Sequence, residues 1–423
     1  MKVIIDNNNI KLKVVFYLLY VLIFTILFLL YKTFICSTYA YVGYPDNLQI
    51  DKFIISIILF LFILIFMPSE FRKPSDLLLN LHFIFPVIPM LIIYSFIEGS
   101  YYSYILSVFL SFTIIIFLRN ITLIPFIKFA NVRKDKILYI LFAVFILLLL
   151  LAAIRNYSYF NIDITKVYDY RHEVSENIKG IYSYLLMGIF PVIGYFLIGL
   201  SLERKRYLFF IFITFCFFLF FAFVSHRQYL FTPFLLLVIF FSLKLKKAVI
   251  SLLLFILLII ILAVVVDELW LDVWAKAIVL DRLMFLPALI NFYYYDFFSK
   301  NPFTLFTDSP WLRFIIDYQY DMPIPNLIGY EYFGSSLMAA NTGWIGSGFQ
   351  QAGFLGLFIY ATIIGLMFRY VDYKAKSLGK TFVTTTFAPF IPVVFLSADL
   401  KTGFLSNGLL YYLLLLSLIS EKK

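Results

Sequence analysis

Ionisable residues are scarce in this chain, and those suited to chemistry stand in a few short groups. Ser225-His226-Arg227-Gln228 is the polar break within residues 207–243. Asp281-Arg282-Leu-Met-Phe-Leu-Pro287-Ala288 precedes Tyr294-Tyr295-Asp296-Phe297-Phe298. Asp308, Arg313 and Glu331 follow, and Ala340-Asn341-Thr342-Gly343-Trp344 leads into a glycine-rich stretch that closes at Gly353. Arg171 lies in an earlier polar segment. Guanidinium groups suit anions bidentately, and a carboxylate or imidazole can take a proton from a hydroxyl. Asn341 could cap a helix whose amide end faces a sugar or phosphate. Each group also has a plain reading. Arg227 could snorkel from a tight hairpin, Arg282 could be solvated or meet lipid phosphate, and glycines at helical spacing often only permit close packing.

Cofactor chemistry has no foothold. Phosphate-binding loops, dinucleotide fingerprints and nucleophile elbows are absent from the sequence. His82, His172 and His226 lack ligand spacing, and Cys36 and Cys216 sit at different depths of apolar runs. No metal or cofactor is expected.

The elements that must position these residues follow from composition. Of 423 residues, 63% are hydrophobic and 14% charged, whereas a soluble domain carries roughly 25% charged residues. This is an all-α polytopic integral membrane protein. Apolar runs approaching the ~20 residues that cross a bilayer core cover residues 14–31, 53–67, 77–96, 101–118, 137–153, 181–200, 207–224, 229–243, 248–266, 354–368, 381–397 and 405–419. They predict about twelve transmembrane helices. The first is longer than a signal-peptide core and is read as a retained helix.

With the amino terminus inside, alternating segments place 22 basic and 7 acidic residues on the inner side and 12 basic and 17 acidic on the outer. Short loops carry the bias, so both termini are expected in the cytoplasm. The net charge of +10 is an orientation signal, and a nucleic-acid partner is excluded.

Two outer segments are long. One is residues 155–180. The other, 267–351, divides residues 1–266, helices one to nine, from residues 352–423, helices ten to twelve. Aromatic residues saturate it, and Trp270, Trp274 and Ile278 recur at helical spacing, as in a helix lying in the membrane interface. Ordered loops of this length are uncommon without a function, so chemistry or binding is expected on this face.

The run Asp281 to Ala288, the Tyr-x-Asp-Phe-Phe pattern at Tyr294 to Phe298, Tyr330-Glu331 to Phe333-Gly334, and Ala340-Asn341-Thr342-Gly343 leading into Gly353 resemble the bacterial O-antigen polymerases of the Wzy type. The similarity extends to the topology of the full chain, with one dominant outer loop in the second half, a GT-C-like arrangement. The resemblance implies a metal-independent glycosyltransferase of the bacterial inner membrane. It would move a growing glycan from undecaprenyl diphosphate to the non-reducing end of a fresh lipid-linked repeat unit on the periplasmic side. A polysaccharide chain-length regulator and membrane lipid are the partners it implies. Under that reading Arg282 and Arg227 bind diphosphate, with Arg171 and Arg313 as further candidates. The base is one of His226, Asp281, Asp308 and Glu331. Asn341 orients a sugar hydroxyl, and aromatic surfaces such as Trp344 meet sugar faces. Asp281 and Arg282, adjacent on a helix, would diverge rather than pair.

Two alternatives share these features. A lipid-linked oligosaccharide flippase or similar transporter also suits twelve helices, although no internal repeat is evident. An O-antigen ligase differs only in its acceptor. Prenyl-phosphosugar transferases have paired acidic residues in the first outer loop, and residues 32–52 offer only the separated Asp46 and Asp51.

Overall fold

The computed structural model describes residues 7–121, 132–163, 167, 170, 173–174, 177–270, 273–309 and 315–420. Its helices, in chain order, are α1 (Lys11–Thr38), α2 (Ile50–Phe66), α3 (Pro74–Tyr94), α4 (Tyr102–Leu118), α5 (Ile137–Tyr159), α6 (Ile181–Glu203), α7 (Tyr207–Val224), α8 (Arg227–Lys244), α9 (Ala248–Trp270), α10 (Leu286–Phe298), α11 (Ile324–Phe333), α12 (Trp344–Leu378), α13 (Lys380–Phe387 with Phe390–Ser397), α14 (Leu400–Leu405) and α15 (Leu409–Leu418). Among the described residues helix is the only extended element, because inside an apolar slab each segment must satisfy its own backbone. A two-residue parallel pairing joins Val132-Arg133 to Ile419-Ser420.

The twelve apolar runs are largely helical. Among the described residues, eight helices are long and apolar enough to cross a membrane, and α13 makes nine if its two halves, bent by 51°, form one span. α4 and α15 are shorter. α3 and α6 are buried nearly throughout, while Leu18, Ile58, Leu208 and Leu254 point outward from the surrounding helices, as lipid-facing side chains do. The chain is a polytopic membrane protein.

The bundle has two distinct ends. At the basic end, Lys380 donates to the Phe71 carbonyl, Lys73 to Asn120, and Lys374 to the Ser417 and Ile419 carbonyls. At the opposite, loop end, Asp281 and Tyr293 pack on the turn after α1, where Tyr44 donates to Asp281 and Tyr293 donates to the Val42 carbonyl.

α12 is not continuous. Ala352 and Gly353 leave helical geometry, with Gly353 at φ +59°. A straight helix would separate Gly348 from Leu357 by about 13.5 Å, yet a Cβ on Gly348 would lie 3.1 Å from the Leu357 Cα, and one on Gly356 would meet the Gly348 carbonyl at 2.2 Å. The arm 344–351 therefore folds back beside the long arm, and only glycine permits the approach. The arm starts deep: Trp344 Nε1 donates to His82 Nε2 at 2.8 Å, and His82 lies about 12 Å along α3 from the basic end. Residues 344–351, assigned by sequence to the outer segment, are thus buried in the bundle. Trp344 is fully buried, so it packs against His82 and does not present a surface to a sugar. Its apolar ring leaves water for the core once its N–H finds an acceptor.

α13 to α15 make a second incomplete crossing. α15 has 10 residues, about 15 Å of helix or half of a ~30 Å hydrocarbon core.

A buried ionic staple closes the basic end. Arg119 Nη1 contacts Asp76 Oδ1 at 2.8 Å and Ser75 Oγ at 2.9 Å, and Asp372 accepts from the Ser75 N–H and Oγ and pairs with Lys73 at 3.1 Å. It joins α3, α4 and α12. Asp76→Ala leaves the Arg119 charge buried and uncompensated, a loss of about 3–5 kcal/mol. The expected result is a clear fall in Tm in detergent, and an unchanged Tm would show the staple to be dispensable.

Candidate functional site

The two broken elements enclose a cavity of about 660 Å³ at the loop end. Its wall includes Tyr294, Asp308, Tyr318, Tyr320, Asn341, Ser347, Gln350, Asp399, Thr402 and Asn407. Tyr360, which donates to Asp399 Oδ1 at 2.7 Å, stands about 21 Å along α12 from Lys374 at the basic end. The floor thus lies in the part of the bundle away from the basic end.

The helix ends supply its polar lining. Arm 344–351 ends with carbonyls that have no partner within the helix. Thr304 N–H donates to the Gln350 carbonyl and Leu305 N–H to that of Gln351, at 3.0 and 2.9 Å. Gln351 Oε1 accepts from Thr304 Oγ1 and the Phe306 N–H, each at 2.8 Å. Leu305 and Phe306 are held at φ +47° and +66°, a conformation that costs bulky residues on the order of 1–3 kcal/mol. This tight strap presents Asp308.

Asp308 faces Asp399, from the turn between α13 and α14. Gln351 Nε2 donates to Oδ2 of both, each at 3.2 Å, and Gln350 Nε2 donates to Asp308 at 3.2 Å. Lys401 bridges the pair, bonded to Asp308 and lying 3.2 Å from Asp399 Oδ2. Burial pushes the Asp399 carboxyl up from the usual carboxylate range; Lys401 opposes this, and the charge of Asp308 adds to it. The arrangement sets two carboxylates beside one cation.

Of the sequence-chosen residues, Asp308 and Asn341 line this cavity. Asn341 is exposed within it. Asp281 does not: it is buried within a short π-helical stretch, Ala277–Phe285, where Tyr44 donates to it at 2.7 Å. Burial raises its pKa, with Tyr44 and Arg282 acting against that. The expected divergence of Asp281 and Arg282 is corrected: the wider turn of the π-helix leaves Arg282 Nε 3.7 Å from Asp281 Oδ2. Arg282 is 70% exposed and Glu331 lies exposed on α11, neither of them in the cavity. Arg171 and Arg313 fall outside the described residues.

His226 and Arg227 form the turn from α7 to α8, as the 37-residue run predicts, and both are half-buried. Beside them a smaller cavity of about 160 Å³, lined by Tyr195, Gln228, Tyr229, Thr232 and Pro389, shares Ser397 and Asn407 with the first. The start of α8 therefore lines a cavity whose wall shares residues with the main one. Among the described residues, no group of three or more His, Cys, Asp or Glu is placed to hold a metal ion.

Sequence reading missed Asp399, Lys401 and the structural role of Gln350 and Gln351. The available signal was that Asp399 and Lys401 are the charged residues between the last two apolar runs.

Lys401→Met removes the cation between the carboxylates and pushes Asp399 further up, so that one carboxyl carries a proton at neutral pH. Infrared difference spectra of the purified variant should show a protonated carboxyl that vanishes in Lys401→Met/Asp399→Asn. Two ionised carboxylates in Lys401→Met would contradict the bridge. The chain matches no family model, no curated protein and no solved structure.

Proposed function

We propose that this protein is a membrane glycosyltransferase that polymerises lipid-diphosphate-linked oligosaccharide repeat units into O-antigen or a related surface polysaccharide. The observation that carries the reading is the Asp308–Lys401–Asp399 cluster in a cavity walled by Tyr318 and Tyr320. Tyrosine rings offer flat apolar surfaces of the kind sugar faces need, and Asn341, Gln350 and Asn407 add hydrogen-bonding groups. In this scheme the acceptor sugar hydroxyl enters the cavity and gives its proton to Asp308 or Asp399, whichever Lys401 leaves. The hydroxyl oxygen forms the new glycosidic bond as the anomeric carbon–oxygen bond to the lipid diphosphate breaks. Charge building on the departing diphosphate needs cations in place, and Arg227, next in sequence to the Gln228 that lines the adjoining cavity, is the candidate for that role. Arg282 would meet phosphate at the membrane interface.

The full proposal has twelve membrane segments with the last two forming a partial crossing, both termini in the cytoplasm, and the cavity open to the periplasm of a bacterial inner membrane. A chain-length regulator would meet the same face.

A second reading is favoured by the broken helices. Discontinuous segments around a charged cavity are also how secondary transporters hold substrates, so a lipid-linked oligosaccharide flippase shares this geometry. An O-antigen ligase shares the leaving group.

Deletion with analysis of lipopolysaccharide separates the three. Polymerase loss leaves core capped by a single repeat unit, ligase loss leaves bare core and lipid-linked polymer, and flippase loss leaves neither. In the complemented deletion, Asp308→Asn and Asp399→Asn should remove long chains, because general base catalysis supplies about 10²–10⁴-fold. Arg227→Lys keeps charge and loses the planar fork, and should shorten the ladder. Normal ladders from both aspartate variants would sink the assignment of the cavity.

A further inference from the structure

The basic end holds a cavity that glycan transfer does not use. It measures about 510 Å³ and lies between the start of α1, the turn before α3, the α8–α9 turn and the start of α13. Lys246, Lys247 and Lys380 converge on it from two chain segments more than a hundred residues apart. Its carboxylate, Glu70, is already paired with Arg72, whose Nε and Nη2 both lie 2.9 Å from it. The lining charge is therefore strongly positive. Lys380 is fixed at the wall by donating to the Phe71 carbonyl at 2.9 Å and lying 4.9 Å over the Phe71 ring.

Solvated lysines that only orient a membrane protein have no need of a shared concavity or an apolar wall. This site has both, since Leu12, Phe71 and Leu245 line it beside the ammonium groups. The lysines cap spans α8 and α9, at the depth where lipid headgroups sit. A free phosphate would use the lysines alone, whereas a phospholipid uses the lysines and the leucines together.

We infer that this cavity binds the phosphate-bearing headgroup of an anionic phospholipid, with an acyl chain against Leu12 and Leu245. Lysines near an anionic headgroup act additively, so three of them select anionic over zwitterionic lipid. The inference is independent of the glycan chemistry at the opposite end.

Native mass spectrometry of the purified full chain tests it, with phosphatidylglycerol, phosphatidylcholine and inorganic phosphate as probes. Wild-type protein should retain one phosphatidylglycerol, and Lys246→Gln/Lys247→Gln/Lys380→Gln should weaken that binding roughly 100-fold. Lys205→Gln/Arg206→Gln, on another loop of the same end, should leave it unchanged. Should the triple variant not fold, Lys247→Gln alone should weaken binding about fivefold. Equal retention of phosphatidylcholine, equal loss in the control variant, or wild-type binding in the lysine variants would overturn the site. Displacement of the lipid by millimolar phosphate would overturn the choice of lipid as occupant.

Discussion

Backbone that leaves the helix inside an apolar bundle must find partners for its N–H and C=O groups in the protein or in a wet cavity. Among the described residues the helices break near Ala352-Gly353 and between Ser397 and Leu409, and side chains complete both. Asn291 Oδ1 accepts from Thr342 Oγ1 and the Gly346 N–H at 2.7 Å each, tying down the deep start of the arm 344–351. Gln351 anchors the strap at its outer end, and Asp399 accepts from the Lys401 N–H to start α14. Of the groups that satisfy the breaks, Thr342 and Asp399 also line the cavity. Structure and site thus rest on one requirement.

Much of the scaffold is legible in the sequence because hydropathy reports which segments avoid water. The twelve apolar runs are largely helical, and Lys246, Lys247 and Lys380 of the short loops meet at one end. Hydropathy does not report depth. The stretch from Gly343 to Gly353 reads as the glycine-rich end of a loop, but its glycines let one arm press on another inside the bundle. Trp344, an attractive surface for a sugar when seen alone, turns inward because His82, 262 residues away, accepts its N–H. No local pattern encodes that contact.

Asp308 and Asn341 were recognisable from their residue types on the long outer segment. Asp399 and Lys401 were not, since a short polar interval between apolar runs looks like any turn. Their importance comes from a partner on the strap, and that strap reaches them only because arm 344–351 doubles back. Arg282, conspicuous in the sequence, lies exposed on another part of the same face. Charge balance then divides the labour. The cavity wall holds Asp308, Asp321 and Asp399, and under the proposed reading these carboxylates take the proton while phosphate is left to arginines elsewhere.

The most direct test of the account is chemical stoichiometry in vesicles that contain this protein alone and lipid-diphosphate-linked repeat units. Polymerisation requires one polyprenyl diphosphate to be released for every glycosidic linkage formed. The account calls for that one-to-one release, abolished together with polymer in Asp308→Asn/Asp399→Asn. Movement of intact lipid-linked units across the bilayer, with no linkage formed and no diphosphate released, would contradict it.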